Sequence, residues 1–301
     1  MSLEGLQQAI EAAQQNVMAN AGGPFGACLT LADKASFVGA NHVVPEIDVT
    51  SHAEVNAIRS FIRDKGYSFL GAEEKAALFS SCECCPMCMA MALTVGVSEI
   101  VYANTREDAD AIGFSDNIQY KFLRKNPTAK IIFAEEAEDI LNRNQADFLI
   151  FDANDDLITA SQDGAPEDLG LASVSGVRKA CQSLQKFWLP EGFYIVARKI
   201  PHPMGLVAAD WAKVLRPDDE AEIVPYQLIC ATHDYETPIL TDKNGKALPL
   251  DNAEMIYNVI AGKEKPAAVI RRTEDKEMRK QALDTFHLFA HKVRNNNAEA
   301  Y

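Results

Sequence analysis

The sequence has no run of about 20 apolar residues, the length that a membrane-spanning helix needs, and residues 1–20 lack the basic and apolar stretches of a secretion signal. Glycine and proline are scarce, at 16 and 13 of 301 residues, which excludes a fibrous or low-complexity protein. Positive charge is also short, because 29 Lys and Arg face 43 Asp and Glu, a net charge of −14. We therefore predict a cytoplasmic globular protein with a small, neutral substrate, and expect neither nucleic acid nor membrane as a partner.

Cysteine is not distributed as a disulfide framework would require. Four of the seven cysteines fall between Cys82 and Cys88, too close together for ordinary pairing. In a reducing compartment such a cluster indicates a metal or catalytic site. The chain is also longer than one typical domain, so two domains are expected, each with its own core.

Helical and strand-like segments alternate along the first half of the chain. The predicted helices cover residues 3–20, 51–65, 86–95, 118–123 and 135–144, and the predicted strands cover 27–31, 36–44, 76–81, 99–103 and 130–134. Such alternation is what a sheet with helices on both faces requires. We predict an α/β fold with three layers, α/β/α.

After residue 146 the pattern repeats in weaker form. The matched segments, in the same order, are 148–159 with 27–39, 175–183 with 52–60, 201–205 with 84–88, 255–260 with 118–123 and 265–270 with 126–131. Each match is weak alone, but five in order indicate a tandem duplication. We predict domains at 1–146 and 147–301; an unrelated α/β domain with the same element order remains the alternative.

His52, Cys85 and Cys88 form a ligand set for zinc. Cys85 and Cys88 have the C-x-x-C spacing that places two thiolates on one cation, and a zinc ion with three protein ligands keeps a position open for water. Glu54, two residues from His52, is placed to transfer protons without being a ligand. A redox pair or a structural zinc site, with Cys82 or Cys84 as fourth ligand, are the alternatives.

These motifs resemble the zinc-dependent nucleobase and nucleoside deaminases, which share a cytidine-deaminase-like fold and the signature H-x-E with P-C-x-x-C. The matching residues are Ser51-His-Ala-Glu54 and Cys85-Pro-Met-Cys88. One departure is Cys84, which stands where the family has proline and adds a thiol beside the metal, so ligation through Cys84 in place of Cys85 is an alternative. The resemblance implies one zinc ion per chain, ligated by His52, Cys85 and Cys88.

Within that family, residues 104–116 are most similar to guanine deaminases. The resemblance implies a substrate site formed by Phe25, Asn41, Ala53, Asp116 and Tyr301. There Asp116 contacts the base, Asn41 holds its polar edge and Phe25 packs on the ring. The aromatic segment 286–301 is similar to a tail that closes a neighbouring subunit's site in guanine deaminases. Helix capping by Asp116 and simple core packing of the 286–301 helix are the alternatives.

The second copy lacks the ligand set. Its corresponding positions are Ser175, Val177, His202 and Gly205, and one imidazole cannot hold zinc. We therefore predict a degenerate deaminase-like domain without metal. The two halves are expected to pack as a pseudo-dimer within one chain, with segment 286–301 over the zinc site; a homodimer remains open.

The predicted reaction is hydrolysis of guanine to xanthine and ammonia. Deamination of another small aminated heterocycle, such as a pyrimidine, a triazine or a nucleoside, is the nearest alternative. A tRNA adenosine deaminase fits less well, because it requires a basic surface for phosphates. A structural or regulatory zinc module is the alternative outside the enzymes.

Overall fold

The computed structural model describes residues 3–116, 129–162, 164–212 and 226–295. The predicted helix at 118–123 lies outside this part of the chain. Among the described helices, none has the length and apolarity needed to cross a bilayer.

In the first half, helices and strands alternate along the chain. Its described elements are α1 (Glu4–Met18), β1 (Gly26–Thr30), β2 (Ser36–Ala40), α2 (Val43–Glu46), α3 (Ala53–Lys65), a 3₁₀ turn (Ala72–Glu74), β3 (Ala77–Cys82), α4 (Pro86–Val95), β4 (Glu99–Asn104), α5 (Arg106–Asp110), β5 (Ala129–Phe133) and α6 (Glu136–Arg143). Helix α4 begins with a proline, which suits the first helical position, and ends at Gly96 in the left-handed conformation with φ of 92°. A Cβ on Gly96 would lie 2.3 Å from a backbone oxygen, so only glycine fits there.

The second half follows the same order of sheet strands and long helices, with one added hairpin. Its described elements are β6 (Phe148–Phe151), β7 (Leu157–Ser161), a 3₁₀ turn (Pro166–Asp168), α7 (Ala172–Leu184), β8 (Tyr194–Ala197), α8 (Pro203–Trp211), β9 (Tyr226–Cys230), β10 (Ile239–Thr241), β11 (Ala247–Pro249), α9 (Ala253–Ile260), β12 (Val269–Arg272) and α10 (Lys276–Arg294). Strands β10 and β11 form a separate hairpin.

Two five-stranded sheets have the same topology, and each receives one edge strand from the other half of the chain. The first sheet has the order β12-β4-β3-β1-β2 and the second has β5-β9-β8-β6-β7. In each, the first three strands of the half pair antiparallel and the two added strands run parallel. The shared order favours the predicted duplication over an unrelated second domain. However, β12 completes the first sheet and β5 completes the second, so halves divided at residue 146 are not spatially separate.

Helices cover both faces of each sheet, as predicted. In the first sheet, Cys28 and Phe79 pack with α1 on one face, while Leu29 and Leu78 face α3 and α4 on the other. Successive side chains of a strand point to opposite faces of the sheet, so apolar residues at consecutive positions indicate a sheet that is covered on both faces. The same alternation in the second sheet separates α6 from α7.

The two halves join through their helices. Helix α4 packs against α8 and α9, and one continuous hydrophobic cluster includes Met87 and Met91 of α4 together with Leu206 and Val207 of α8. An apolar contact of this kind resembles a domain core more than the polar interface of two mobile domains. The second half therefore lies directly behind the helix that carries Cys85 and Cys88.

Candidate metal centre and substrate cavity

The three predicted metal ligands come together at the beginnings of two helices. His52 is the residue before α3, Cys85 is the residue before α4, and Cys88 lies in the first turn of α4. The N-terminus of a helix carries a partial positive charge, which favours a thiolate. Burial opposes ionisation of Cys85, but the Cys88 thiol and the charge of His52 outweigh it and lower the pKa of Cys85 well below its usual range.

The spacing of the donor atoms fits a tetrahedral zinc ion. His52 Nδ1 lies 3.5 Å from Cys85 Sγ and 3.6 Å from Cys88 Sγ, and the two sulfurs are 3.4 Å apart. Tetrahedral zinc would separate nitrogen from sulfur by roughly 3.5 Å, which agrees with both observed distances, and the two sulfurs by roughly 3.8 Å, so the sulfurs lie somewhat closer here than zinc would hold them. Within the described ranges, this is the group of His, Cys and acidic residues that meets the distances of a metal site. The cofactor is zinc, and His52, Cys85 and Cys88 form a group that could hold it.

Glu54 lies beside this ligand set at the start of α3. Ser80 Oγ donates a hydrogen bond of 2.9 Å to Glu54 Oε1, and Glu54 Oε2 is 3.3 Å from Cys88 Sγ. The side chain is 6% exposed, and burial raises the pKa of Glu54, with the negative charge of Cys85 raising it further. A raised pKa makes the Glu54 carboxylate a stronger proton acceptor than an exposed glutamate.

Neither of the other two clustered cysteines joins the metal group. Cys82 Sγ donates to the backbone oxygen of Thr105 at 3.4 Å. Cys84 is fully buried, and its side chain is hydrogen-bonded to Glu54. The thiol that replaces the family's proline therefore contacts the proposed proton carrier.

A small cavity of about 140 Å³ opens beside the metal ligands. Of the residues predicted for the site, those that line it are Phe25, Asn41, His52, Glu54, Cys85 and Asp116. Burial, reinforced by the charge of Cys85, raises the pKa of Asp116 to about 8. Ala53 is fully buried at the start of α3 and is not among the lining residues. Tyr301 lies outside the described residues, as does the helix that Asp116 was alternatively expected to cap.

The aromatic segment near the C-terminus supports one wall of this cavity. Phe25 contacts Phe114 edge to face at 5.0 Å between ring centroids, and it contacts Phe286 of α10 at 5.3 Å. Phe289 of α10 is in turn 5.5 Å from Phe114. Both α10 rings are buried, so the helix is packed against the first half and holds Phe25 from behind.

Two lining residues from the second half were missed by the sequence analysis. Phe187 and Trp211 both line the cavity, and the Trp211 ring lies 5.3 Å from the His52 ring in an edge-to-face arrangement. The Trp211 indole N–H is buried and has no hydrogen-bond partner in the described part of the chain. No motif spacing could identify these residues, because they reach the cavity only through the packing of the second half against the first.

In the second half, a carboxyl group and a serine hydroxyl lie beside the positions that correspond to the metal ligands. Glu236 accepts hydrogen bonds from the Ser173 hydroxyl, from Ser173 N at 3.0 Å and from His202 N at 3.2 Å. A Cβ at Gly205, the position matched to Cys88, would lie 1.9 Å from Ser173 Oγ. A carboxylate at the start of α8 thus occupies the region where the first half gathers its thiolates.

The chain is similar in sequence to known zinc-binding deaminases. The family described as the cytidine and deoxycytidylate deaminase zinc-binding region matches residues 2–104. Guanine deaminase from Bacillus subtilis (strain 168) is 37% identical over 122 residues, which are 40% of this chain and 75% of that protein. A crystal structure of guanine deaminase from Bacillus subtilis is 31% identical, covering 48% of this chain and 95% of that chain with a TM-score of 0.40. A structure described as guanine deaminase from Nitrosomonas europaea is 28% identical, covering 38% and 65% with a TM-score of 0.36.

Proposed function

Because the chain belongs to the zinc-dependent deaminase family that includes guanine deaminase of Bacillus subtilis, we propose that it hydrolyses guanine to xanthine and ammonia. The observation that carries the proposal is the position of Glu54 beside the His52, Cys85 and Cys88 donor triangle, on the wall of a small cavity. Donors for one metal and a separate buried carboxyl group are what hydrolytic deamination requires.

The chemistry divides between the metal and Glu54. When bound, zinc makes water nucleophilic near neutral pH. Glu54 accepts a proton from the attacking water at one carboxylate oxygen and delivers it to the ring nitrogen next to C2. A second proton passes through Glu54 to the departing amino group, which leaves as ammonia. Ser80 fixes the carboxylate by donating to Oε1, so that Oε2 remains on the metal side.

The other residues that line the cavity are suited to binding a purine base. The rings of Phe25, Phe114 and Trp211 supply flat apolar surface. The polar groups at the wall are the Asn41 amide and the Asp116 carboxyl, and Asn41 Oδ1 already accepts from Val43 N at 3.3 Å. An amide and a carboxyl group together offer donors and acceptors, and the guanine edge presents both.

Ammonia release tests the proposal directly. The zinc-loaded protein is assayed with guanine and with aminated pyrimidines, triazines, adenine, nucleosides and a tRNA stem-loop. We expect guanine to give the highest kcat/KM. A higher value for another compound would replace guanine as the substrate, and no release from any compound would leave the non-catalytic zinc module as the function.

A substitution of Glu54 tests the mechanism separately. Glu54→Gln removes the proton carrier but keeps the shape, so kcat should fall by about 10²–10⁴-fold or more while zinc stays bound. Glu99→Gln is the matched control, since Glu99 lies at the start of β4 and pairs with Arg271 outside the cavity. Turnover by Glu54→Gln at the parent rate would show that the proton route is wrong.

A further inference from the structure

A buried charge network crosses from the second half to the metal site. Asp168, in the 3₁₀ turn before α7, is fully buried. Its carboxylate accepts a bond of 2.7 Å from Arg59 Nη2 of α3, and it pairs with Arg178 at 2.5 Å. It also accepts from the hydroxyl of Ser175 at 2.9 Å, and Ser175 is the residue matched to His52 in the duplication. The second half thus has a serine at the position of a metal ligand, and this serine donates a hydrogen bond to Asp168.

From Arg59 the network continues to the loop before His52. Arg59 Nη2 lies 2.7 Å from Thr50 Oγ1, and Arg59 Nη1 is 3.5 Å from Asp48 Oδ2. Asp48 Oδ1 accepts from both the amide and the hydroxyl of Thr50, at 2.8 and 2.6 Å. His52 N then donates to Thr50 O at 2.8 Å. A continuous series of short contacts therefore leads from Asp168 to the backbone of His52.

The position of the Arg59 guanidinium depends on the negative charge of Asp168. The Arg59 side chain is 4% exposed and lies between two carboxylates, of which Asp48 is already shared with Thr50. Removing one partner of a buried ion pair leaves a charge that must find another partner. Without Asp168, the guanidinium would be drawn towards Asp48 and would pull on the loop that holds Thr50.

We propose that Asp168, although it belongs to the half without metal ligands, is a positioning residue for His52. It holds Arg59, Arg59 holds Thr50, and the Thr50 carbonyl fixes the start of α3, where the imidazole projects. In this way the second half stabilises the position of a metal ligand in the first half. The consequence for catalysis rests on the zinc deamination proposed above, but the consequence for metal retention does not.

The test is the rate at which zinc-loaded, full-length protein loses its metal to an excess of a coloured chelator. Asp168→Asn removes the charge and keeps the size, and outer partners of metal ligands typically change metal affinity by about 10–100-fold. We expect zinc loss to accelerate by about 10-fold or more, and kcat to fall with KM nearly unchanged. Thr50→Val, which cuts the same series at its other end, should accelerate zinc loss in the same way.

Asp147→Asn is the matched control, since Asp147 forms an ion pair with Arg198 in the second half, away from the metal site. It should lower stability without changing zinc loss. Zinc loss from Asp168→Asn at the parent rate, or no faster than from Asp147→Asn, would overturn the positioning role. If Asp168→Asn does not fold, Thr50→Val decides, because it keeps Asp168 and removes the hydroxyl that Arg59 contacts; zinc loss from Thr50→Val at the parent rate would then overturn the proposal. Should guanine prove not to be the substrate, the chelator experiment remains decisive.

Discussion

Acidification is expected to weaken the protein through one buried histidine, His202. This residue stands where the duplication places Cys85, at the residue before α8, and it is fully buried. Its Nδ1 accepts a bond of 3.3 Å from Met204 N, and Nε2 lies 3.4 Å from the hydroxyl of Thr94 in α4. Because the Thr94 hydroxyl donates to Ala90 O, Nε2–H is the donor to Thr94, and the ring is neutral. A second proton on the ring would break the cap of α8.

The size of the effect follows from the pKa values. Burial lowers the pKa of His202 from 6.5 to about 3. Between these values the unfolded chain binds a proton that the folded chain does not, so stability falls as the pH falls below about 6.5. Each pH unit costs about 1.4 kcal/mol, up to a limit of about 5 kcal/mol. Between pH 7 and pH 5, the free energy of unfolding should therefore decrease by about 2 kcal/mol through this residue alone.

Urea unfolding at pH 7, 6 and 5, followed by circular dichroism at constant zinc, measures this contribution. His202→Asn removes the titrating ring and keeps a side chain that caps helices well. The parent should lose about 2 kcal/mol more than His202→Asn between pH 7 and pH 5. His287→Asn, which alters an exposed histidine of α10, is the control and should follow the parent. Parallel losses in the parent and in His202→Asn would refute the reasoning, because other groups would then account for all the pH dependence.

Two further predictions concern the cavity and the metal. Trp211→Ala should raise KM by 10-fold or more, because stacking on an aromatic side chain contributes about 1–3 kcal/mol per base. Trp188→Ala, which alters an exposed tryptophan, is the control and should leave KM unchanged. Equal KM values for the two variants would show that Trp211 is not part of the substrate site. Cys84→Ala should retain one zinc per chain by metal analysis and Cys85→Ala should lose it; the reverse result would assign ligation to Cys84.

The metal centre and much of the fold could be predicted because their signals are local. His52 and Glu54 lie two residues apart, and Cys85 and Cys88 lie one helical turn apart, so short segments determine their geometry. The strand periods of β1, β3 and β4 and the glycine that ends α4 are equally local. The α/β/α layers followed from this alternation, and both sheets confirm them.

The contributions of the second half could not be predicted, because they depend on contacts between distant segments. Trp211 reaches the cavity only through the packing of α8 on α4, and Asp168 reaches Arg59 across 109 positions of sequence. The exchange of β5 and β12 could not be predicted from the sequence either, because a parallel strand has the same apolar pattern whichever sheet it joins. The sequence repeat predicted two similar sheets, but it did not predict which strand completes each sheet.

The exchanged strands also determine when the protein can finish folding. In the first sheet, Val269 pairs with Glu99, so this sheet receives its edge strand about 170 residues after the strand beside it has been made. Synthesis proceeds from the N-terminus at about 5–20 residues per second, and pairings between distant segments are slow to form. The half that holds the zinc ligands is translated first and completed last. A chain truncated before residue 269 therefore has every metal ligand but an open sheet edge, which is a site for pairing with another chain.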